Sequence, residues 1–305
     1  MTGDATTFRV IPLALALLTV GCTAKLNPDP HYILGAPYVT EKVWHYPRET
    51  FVLDETGLAA IIKGDSIRLT TDGEVFDQSA VAGAHPTIQL PAIARLTNLE
   101  NGREVTMRLN DRGSGDPHRL VEITQHTAWL LAMPPAGVAQ VRLRVLPNES
   151  HAAADALPGA PALVLTAAPR GAVEVAELAP LPGAQQTSGR ALPVSPVADS
   201  GRAVVAAAAE AVAAAPPLRL SDAVTQTAPR PGQLMVRLDT FEEYQYAATQ
   251  RARMGSAGAQ IVSIVDGRTH RFRVEVGPLP DVVRADAILD QALASGIPDA
   301  RIVVD

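Results

Sequence analysis

Asn98-Leu-Glu-Asn-Gly-Arg-Glu-Val-Thr-Met-Arg-Leu-Asn-Asp-Arg-Gly113 is the stretch on which the fold turns. Glu100-Asn101-Gly102 reads as a turn. After it Val105, Met107 and Leu109 alternate with Thr106, Arg108 and Asn110, the two-residue period of a half-buried strand. That strand delivers Asp111 to a glycine-containing loop, where a carboxylate sits between Arg108 and Arg112 in sequence. A strand end followed by a loop is where rigid scaffolds present acids and bases.

Working outward, further strand-like runs alternate with turns between Phe51 and Leu146: Gly57–Ile62, Ser66–Thr70, Ala92–Thr97, Glu104–Asn110 and Val138–Val145. Gln125–Leu131, behind a Thr124 N-cap, is the helical stretch of this region. Many short strands with little helix predict a small β-barrel over residues 51–147. From Leu130 to Thr240 the chain has no Phe, Tyr or Trp, and residues 148–230 are dominated by small residues and proline. Such a segment buries too little area to offset its ordering entropy, so a disordered linker is expected there. Order resumes at residue 231. Leu234–Leu238, Ala259–Val265, Arg271–Val276 and Ala300–Val304 read as strands, with helices over Phe241–Met254 and from Asp281 to Ala294. Asp266-Gly267 makes the middle two strands a hairpin, and the order βαββαβ predicts a four-stranded sheet with both helices on one face.

Composition sets the outer limits. A chain that is 47% hydrophobic but only 4% aromatic, with 25 prolines, keeps much of its Ala and Val outside any core. The net charge of −6 without a basic cluster argues against nucleic acid as a partner. At the N-terminus Arg9 precedes the apolar run Val10–Val20 and then Gly21-Cys22. The run is too short for a permanent membrane helix and reads as an export signal over residues 1–21. Cys22, the single cysteine, stands behind a small residue at the end of that run, as in a bacterial lipobox. Lipidation of Cys22 would hold the protein at the periplasmic face of a membrane, with residues 22–50 as a proline-rich tether; the alternative is a plain export signal with a chance cysteine.

Several motifs in fixed order carry a family resemblance. They are Thr70-Thr-Asp-Gly-Glu-Val-Phe-Asp77, Ala82-Gly-Ala-His-Pro-Thr-Ile-Gln-Leu-Pro91, Asn98-Leu-Glu-Asn-Gly-Arg103, Asn110-Asp-Arg-Gly113 and Arg119–Thr124. Together they resemble the rare lipoprotein A family, a six-stranded double-psi β-barrel followed by a SPOR domain. Arg271-Phe-Arg-Val-Glu-Val-Gly-Pro278 is the best-matched SPOR strand. The resemblance implies a septal lytic transglycosylase that cleaves peptide-free peptidoglycan strands, with division-site proteins as candidate partners. It places the functional residues at Glu74, His85 and Asp111, implies neither cofactor nor metal, and puts glycan contacts at Arg237, Arg271, Phe272 and Arg273 of the second module.

Lytic cleavage of a glycosidic bond protonates the leaving oxygen and then takes the proton of the muramic C6 hydroxyl, which closes onto the anomeric carbon. One carboxyl group can do both in turn, and Asp111 is the candidate. It has to begin protonated, whereas a guanidinium from Arg108 or Arg112 beside it would favour the anion; which way Arg108 faces is open at this level. His85 would orient substrate or carry charge, and Glu74 would hold His85 or a sugar hydroxyl. Each residue has a structural alternative: Asp111 as a turn cap, His85 as a hydrogen-bonded barrel histidine, Glu74 as a solvated hairpin residue. The chain also departs from the family. Gly57-Leu-Ala-Ala-Ile-Ile62 lacks its hydroxyls and stacking aromatics, Asp65-Ser66-Ile67 replaces Phe-His-Gly, and Asp111-Arg-Gly-Ser-Gly115 replaces Asp-Arg-Gly-Pro-Phe. Two functions therefore stand side by side: an enzyme acting through Asp111, and a barrel that keeps its fold while the C-terminal domain binds glycan.

Overall fold

The computed structural model describes residues 26–64, 66–161, 219–267 and 269–305. Cys22 and the export signal lie outside these, as does 162–218, the middle of the stretch read as linker. Residues 26–50 run along the barrel. They include a hairpin of β1 (Tyr38–Thr40) and β2 (Val43–His45), whose turn residues Glu41 and Lys42 take positive φ. Backbone bonds tie this segment down, from Asp29 N–H to Gly73 O, His31 N–H to Asp72 O, and Ile33 to Leu90 in both directions.

The barrel is built from β3 (Asp54–Ile61), β4 (Ala82–Ala84), β5 (Ala92–Asn98), β6 (Arg103–Asp111), β7 (Val121–Ile123) and β8 (Val138–Val145). β3, β8, β5 and β6 pair antiparallel in that order, β6 pairs parallel with β4, β4 antiparallel with β7, and β7 parallel with β3. The ring of six strands thereby closes, with the mixed pairing of a double-psi barrel. The alternation read from the sequence of β6 is met, since Val105, Met107 and Leu109 are all buried in the barrel core with Leu96, Ile123, Val141 and Leu143. Burying each such side chain contributes roughly 1.5–3 kcal/mol, and this interior is what fixes the mouth of the barrel where Asp111 emerges.

Two expectations change. Ser66–Thr70 is not a strand; Leu69 makes a single bridge to Val75, because the chain turns at once into Thr70–Glu74. At the start of the expected linker, α2 (Pro147–Asp155), which follows α1 (Gln125–Leu130), packs on β5. Its Ser150 Oγ accepts from Ile93 N–H at 2.9 Å and donates to Ile93 O at 3.0 Å. At the linker's far end β9 (Val224–Gln226) pairs antiparallel with the first residues of β6.

The C-terminal module runs β10 (Leu234–Phe241), α3 (Tyr244–Arg253), β11 (Gln260–Asp266), β12 (Thr269–Leu279), α4 (Val282–Ala294) and β13 (Arg301–Val304). The sheet order is β11-β12-β10-β13, so the expected βαββαβ order is present, with β10 continuing to Phe241 before α3 begins. Asp281 caps α4 by accepting from Arg284 N–H at 2.7 Å. Val236, Leu238, Val274 and Val276 of the sheet meet Ala247, Ala285, Ile288 and Leu289 of the helices in one core, and Leu58 of the barrel joins it.

Candidate active site

The end of β6 and the turn Thr70–Glu74 build the site together. Thr70 N–H donates to Glu74 O at 2.8 Å and Gly73 N–H to Thr70 O at 3.0 Å, closing a tight loop. Gly73 has φ +85°, and a Cβ there would lie 2.1 Å from Asp29 O, so the loop and the N-terminal segment meet only because this residue is glycine. The loop is clamped to β6 by Asp72 N–H on Asn110 O at 3.3 Å and by its hold on Asp111.

Asp111 is 5% exposed. Its Oδ1 accepts from Thr71 Oγ1 at 2.7 Å, Thr71 N–H at 3.1 Å and Arg112 N–H at 2.9 Å, and Arg68 Nη1 stands 2.6 Å from Oδ2. The Arg68 guanidinium lies over the Phe76 ring, 4.2 Å from its centroid. Neither flanking arginine supplies the cation. Arg108 turns to the other side of the strand, and the Arg112 guanidinium donates to the backbone oxygens of Leu34 (2.6 Å), Ile88 and His85 (3.2 Å). Sequence reasoning missed Arg68 and Thr71, which come from a loop with no periodicity of its own.

Glu74 is brought to the same strand end on the opposite side of that loop. Its Oε2 accepts from Asn110 Nδ2 at 2.8 Å and its Oε1 lies 2.7 Å from Arg108 Nη2. Asp72 completes a buried cluster: Thr70 Oγ1 donates to its Oδ1 at 2.7 Å, and Arg108 Nη2 is 3.8 Å from its Oδ2. Burial, and then the Glu74 charge, push the Asp72 carboxyl up to about 7, against the opposing pull of Thr70 and Arg108. His85 is not a partner of Glu74 in this arrangement. Its Nδ1 accepts from Thr87 N–H at 3.2 Å and Ile88 N–H at 3.4 Å, and its backbone N–H donates to Asp111 O at 2.9 Å. Burial, with the charges of Arg112 and Arg48, lowers His85 to about 3, so it is a neutral ring that shapes the turn behind Asp111.

Beside Asp111 lies an open groove of about 1510 Å³ whose lining includes Ala60–Gly64, Arg68, Gly113, Glu122, His126 and Trp129. Arg68 lines the groove and pairs with Asp111, so its guanidinium stands between the carboxylate and the open space. Glu122, from β7, accepts from Ser114 N–H at 2.9 Å and holds the Gly113 loop, where a Cβ would meet its Oε2 at 2.5 Å.

The four glycan candidates of the C-terminal module do not share one face. Arg237, Arg273 and Glu275 cluster on the sheet face away from the helices, with Arg237 Nη2 3.1 Å from Asp305 and Arg273 Nε 2.9 Å from Glu275. Arg271 Nη2 lies 4.0 Å from Asp266. Phe272 points the other way, edge-on to Tyr244 of α3 at 5.4 Å and packed against the core. Strand alternation separates it from its arginine neighbours, which corrects its grouping with them.

A closed double-psi barrel with a buried carboxylate at the head of a groove defines the class, and residues 55–143 match the family model described as lytic transglycolase. Through this barrel the chain is similar to the RlpA family. It is 32% identical over 125 residues to the endolytic peptidoglycan transglycosylase RlpA of Rickettsia felis, covering 40% of this chain and 55% of the relative. It is 33% identical over 112 residues to that of Campylobacter jejuni (36% and 41% covered) and 41% identical over 75 residues to that of Escherichia coli (24% and 21%). The chain thus spans about half the length of the first of these relatives and less of the others. Among solved structures, the RlpA SPOR domain from Pseudomonas aeruginosa aligns with 24% of this chain and 99% of its own, at 19% identity and a TM-score of 0.23.

Proposed function

We propose that this chain is an endolytic peptidoglycan transglycosylase of the bacterial cell envelope that works through Asp111. The observation that carries the reading is the seating of Asp111 at the end of β6 behind Arg68, a side chain that lines an open groove of about 1510 Å³. In the reaction the protonated Asp111 gives its proton to the leaving glycosidic oxygen. The muramic C6 hydroxyl then bonds to the anomeric carbon while the same carboxylate takes its proton. The glycosidic bond is replaced by an internal C6 ether, no water is consumed, and the enzyme returns to its starting protonation. Arg68 has to leave Oδ2 before Asp111 is protonated, and its partly exposed position over Phe76 gives it room to do so. Glu74 and Asn110 hold the strand end, and His85 holds the turn behind it.

The finer reading follows the resemblance: peptide-free strands as substrate, recruitment to the division site by the C-terminal module acting as a SPOR domain, and anchoring through a lipidated Cys22. Purified protein incubated with peptide-free glycan strands is expected to release products with 1,6-anhydro-muramic ends, and Asp111→Asn to lower that rate by about two orders of magnitude or more. Wild-type protein that retains glycan yet releases no anhydro product would overturn the enzymatic reading. It would support the second one, a glycan-binding protein, which is favoured by the three hydrogen bonds on Asp111 Oδ1 and the Arg68 ion pair at Oδ2.

A further inference from the structure

We propose that Trp129 is a sugar-stacking subsite in the groove, a flat platform for one pyranose ring of a β-1,4-linked N-acetylhexosamine strand. The proposal rests on the reading of the groove as a glycan site. A single exposed tryptophan is ordinary on a protein surface; this one is fixed in place. Helix α1 is capped by Thr124, whose Oγ1 accepts from Thr127 N–H at 3.2 Å, and it buries Thr127, Ala128 and Leu130 against the barrel. That leaves His126 and Trp129, one turn apart, on the outer side. Their rings stack at 5.8 Å between centroids and 18° between planes. His126 is itself held, with Nε2 3.0 Å from Asp222 and its backbone N–H donating to Gln78 O at 3.1 Å. The indole therefore has one face on an anchored imidazole, while the residue is 68% exposed and lines the groove.

The groove itself says what fits. Its volume of about 1510 Å³ exceeds the roughly 300–1,000 Å³ of small-molecule pockets. Its lining carries three basic side chains (Lys63, Arg68, Arg119) and three acidic ones (Glu41, Asp116, Glu122) among polar and apolar residues, so no one charge dominates. That suits a long, neutral, hydroxyl-rich ligand. The stretch Ala60-Ile61-Ile62 lines the same groove without a ring, so Trp129 is the aromatic surface it offers. The electron-rich indole face attracts the polarised C–H groups on the apolar side of a pyranose, and a ring already stacked on its neighbour loses less entropy on binding than a free one.

The full chain has two tryptophans, so Trp44→Phe leaves Trp129 as the sole indole reporter. Titrating that variant with the β-1,4-linked tetramer of N-acetylglucosamine should give a saturable fluorescence change. In turnover of peptide-free glycan, Trp129→Ala should raise KM about tenfold with kcat nearly unchanged, the signature of lost ground-state binding, and Trp129→Phe should recover part of it. An unchanged KM in Trp129→Ala, with wild type cleaving, overturns the subsite and leaves the proposed activity standing. If wild type cleaves nothing, the titration decides alone: a saturable change keeps the subsite while the activity falls, and a flat titration overturns the subsite.

Discussion

At the residue scale the buried acid that strains the site most is not Asp111 but Asp72. It is fully buried, shares Arg108 with Glu74, and has its carboxyl pushed up to about 7 from an ordinary value near 3.8. The folded state therefore keeps this proton where the unfolded chain has lost it. Its contribution to stability is complete below about pH 4 and is lost as pH rises through 7. Asp72→Asn keeps an acceptor for Thr70 and for Glu74 N–H while removing the charge. Melting curves of the two proteins should coincide near pH 4 and separate by pH 8, with the variant higher by on the order of several °C; equal curves at pH 8 would mean that Arg108 already compensates the buried charge. None of this was legible in the sequence, because the pairing of Arg108 with the Thr70–Glu74 turn depends on which face of β6 meets the loop. Asp111 itself was legible, since strand alternation ending in Asn-Asp-Arg-Gly marks where the strand stops.

At the element scale the strands with clean alternation were readable and the pairings that close the barrel were not. β6 and β12 declare themselves by period, and the Asp266-Gly267 turn declares the β11–β12 hairpin. The parallel contacts of β6 with β4 and of β3 with β7 join segments far apart in sequence, and β4 and β7 are three residues each, too short to show a period. Helix α2 escaped for another reason. Its sequence, Pro-Asn-Glu-Ser-His-Ala-Ala-Ala-Asp, has only small apolar residues, and what ties it to β5 is Ser150 on both backbone groups of Ile93. Ser150→Ala leaves the buried Ile93 N–H unpaired, while Ile93 O keeps the bond from Leu146 N–H at 2.8 Å, and should cost about 1–3 kcal/mol in denaturant unfolding. A loss below a few tenths would show that α2 is held by Ala153 and Ala154 packing alone.

At the scale of the whole molecule, the C-terminal domain sits against the barrel. Arg119 makes two bonds to Asp286 of α4, at 2.7 and 2.9 Å, and His118 Nε2 lies 3.0 Å from Asp290. Thr56 Oγ1 donates to Val304 O at 2.6 Å and accepts from Val304 N–H at 3.2 Å, which occupies the outer edge of β13. The His118 imidazole, facing Asp116, Asp286, Asp290 and its neighbour Arg119, is raised above its ordinary value, first by its hydrogen bond to Asp116. The part of that shift owed to Asp286 and Asp290 across the contact favours the docked arrangement while the ring is charged, and that help is lost as pH rises through the raised value. Small-angle scattering should report a larger radius of gyration at pH 9 than at pH 6. Arg119→Ala should enlarge it at both, and an unchanged radius in that variant would show that these pairs do not hold the two domains. The strand β9 carries a further consequence. The chain quits the barrel after α2, which lies on β5, and rejoins that same barrel at β9 on β6 before reaching the second domain. The intervening residues thus begin and end on one body. A protease that severs them would release neither half, and the distance between the two modules would be governed by the few residues from Thr227 to Gln233 instead of by the length of the alanine- and proline-rich stretch.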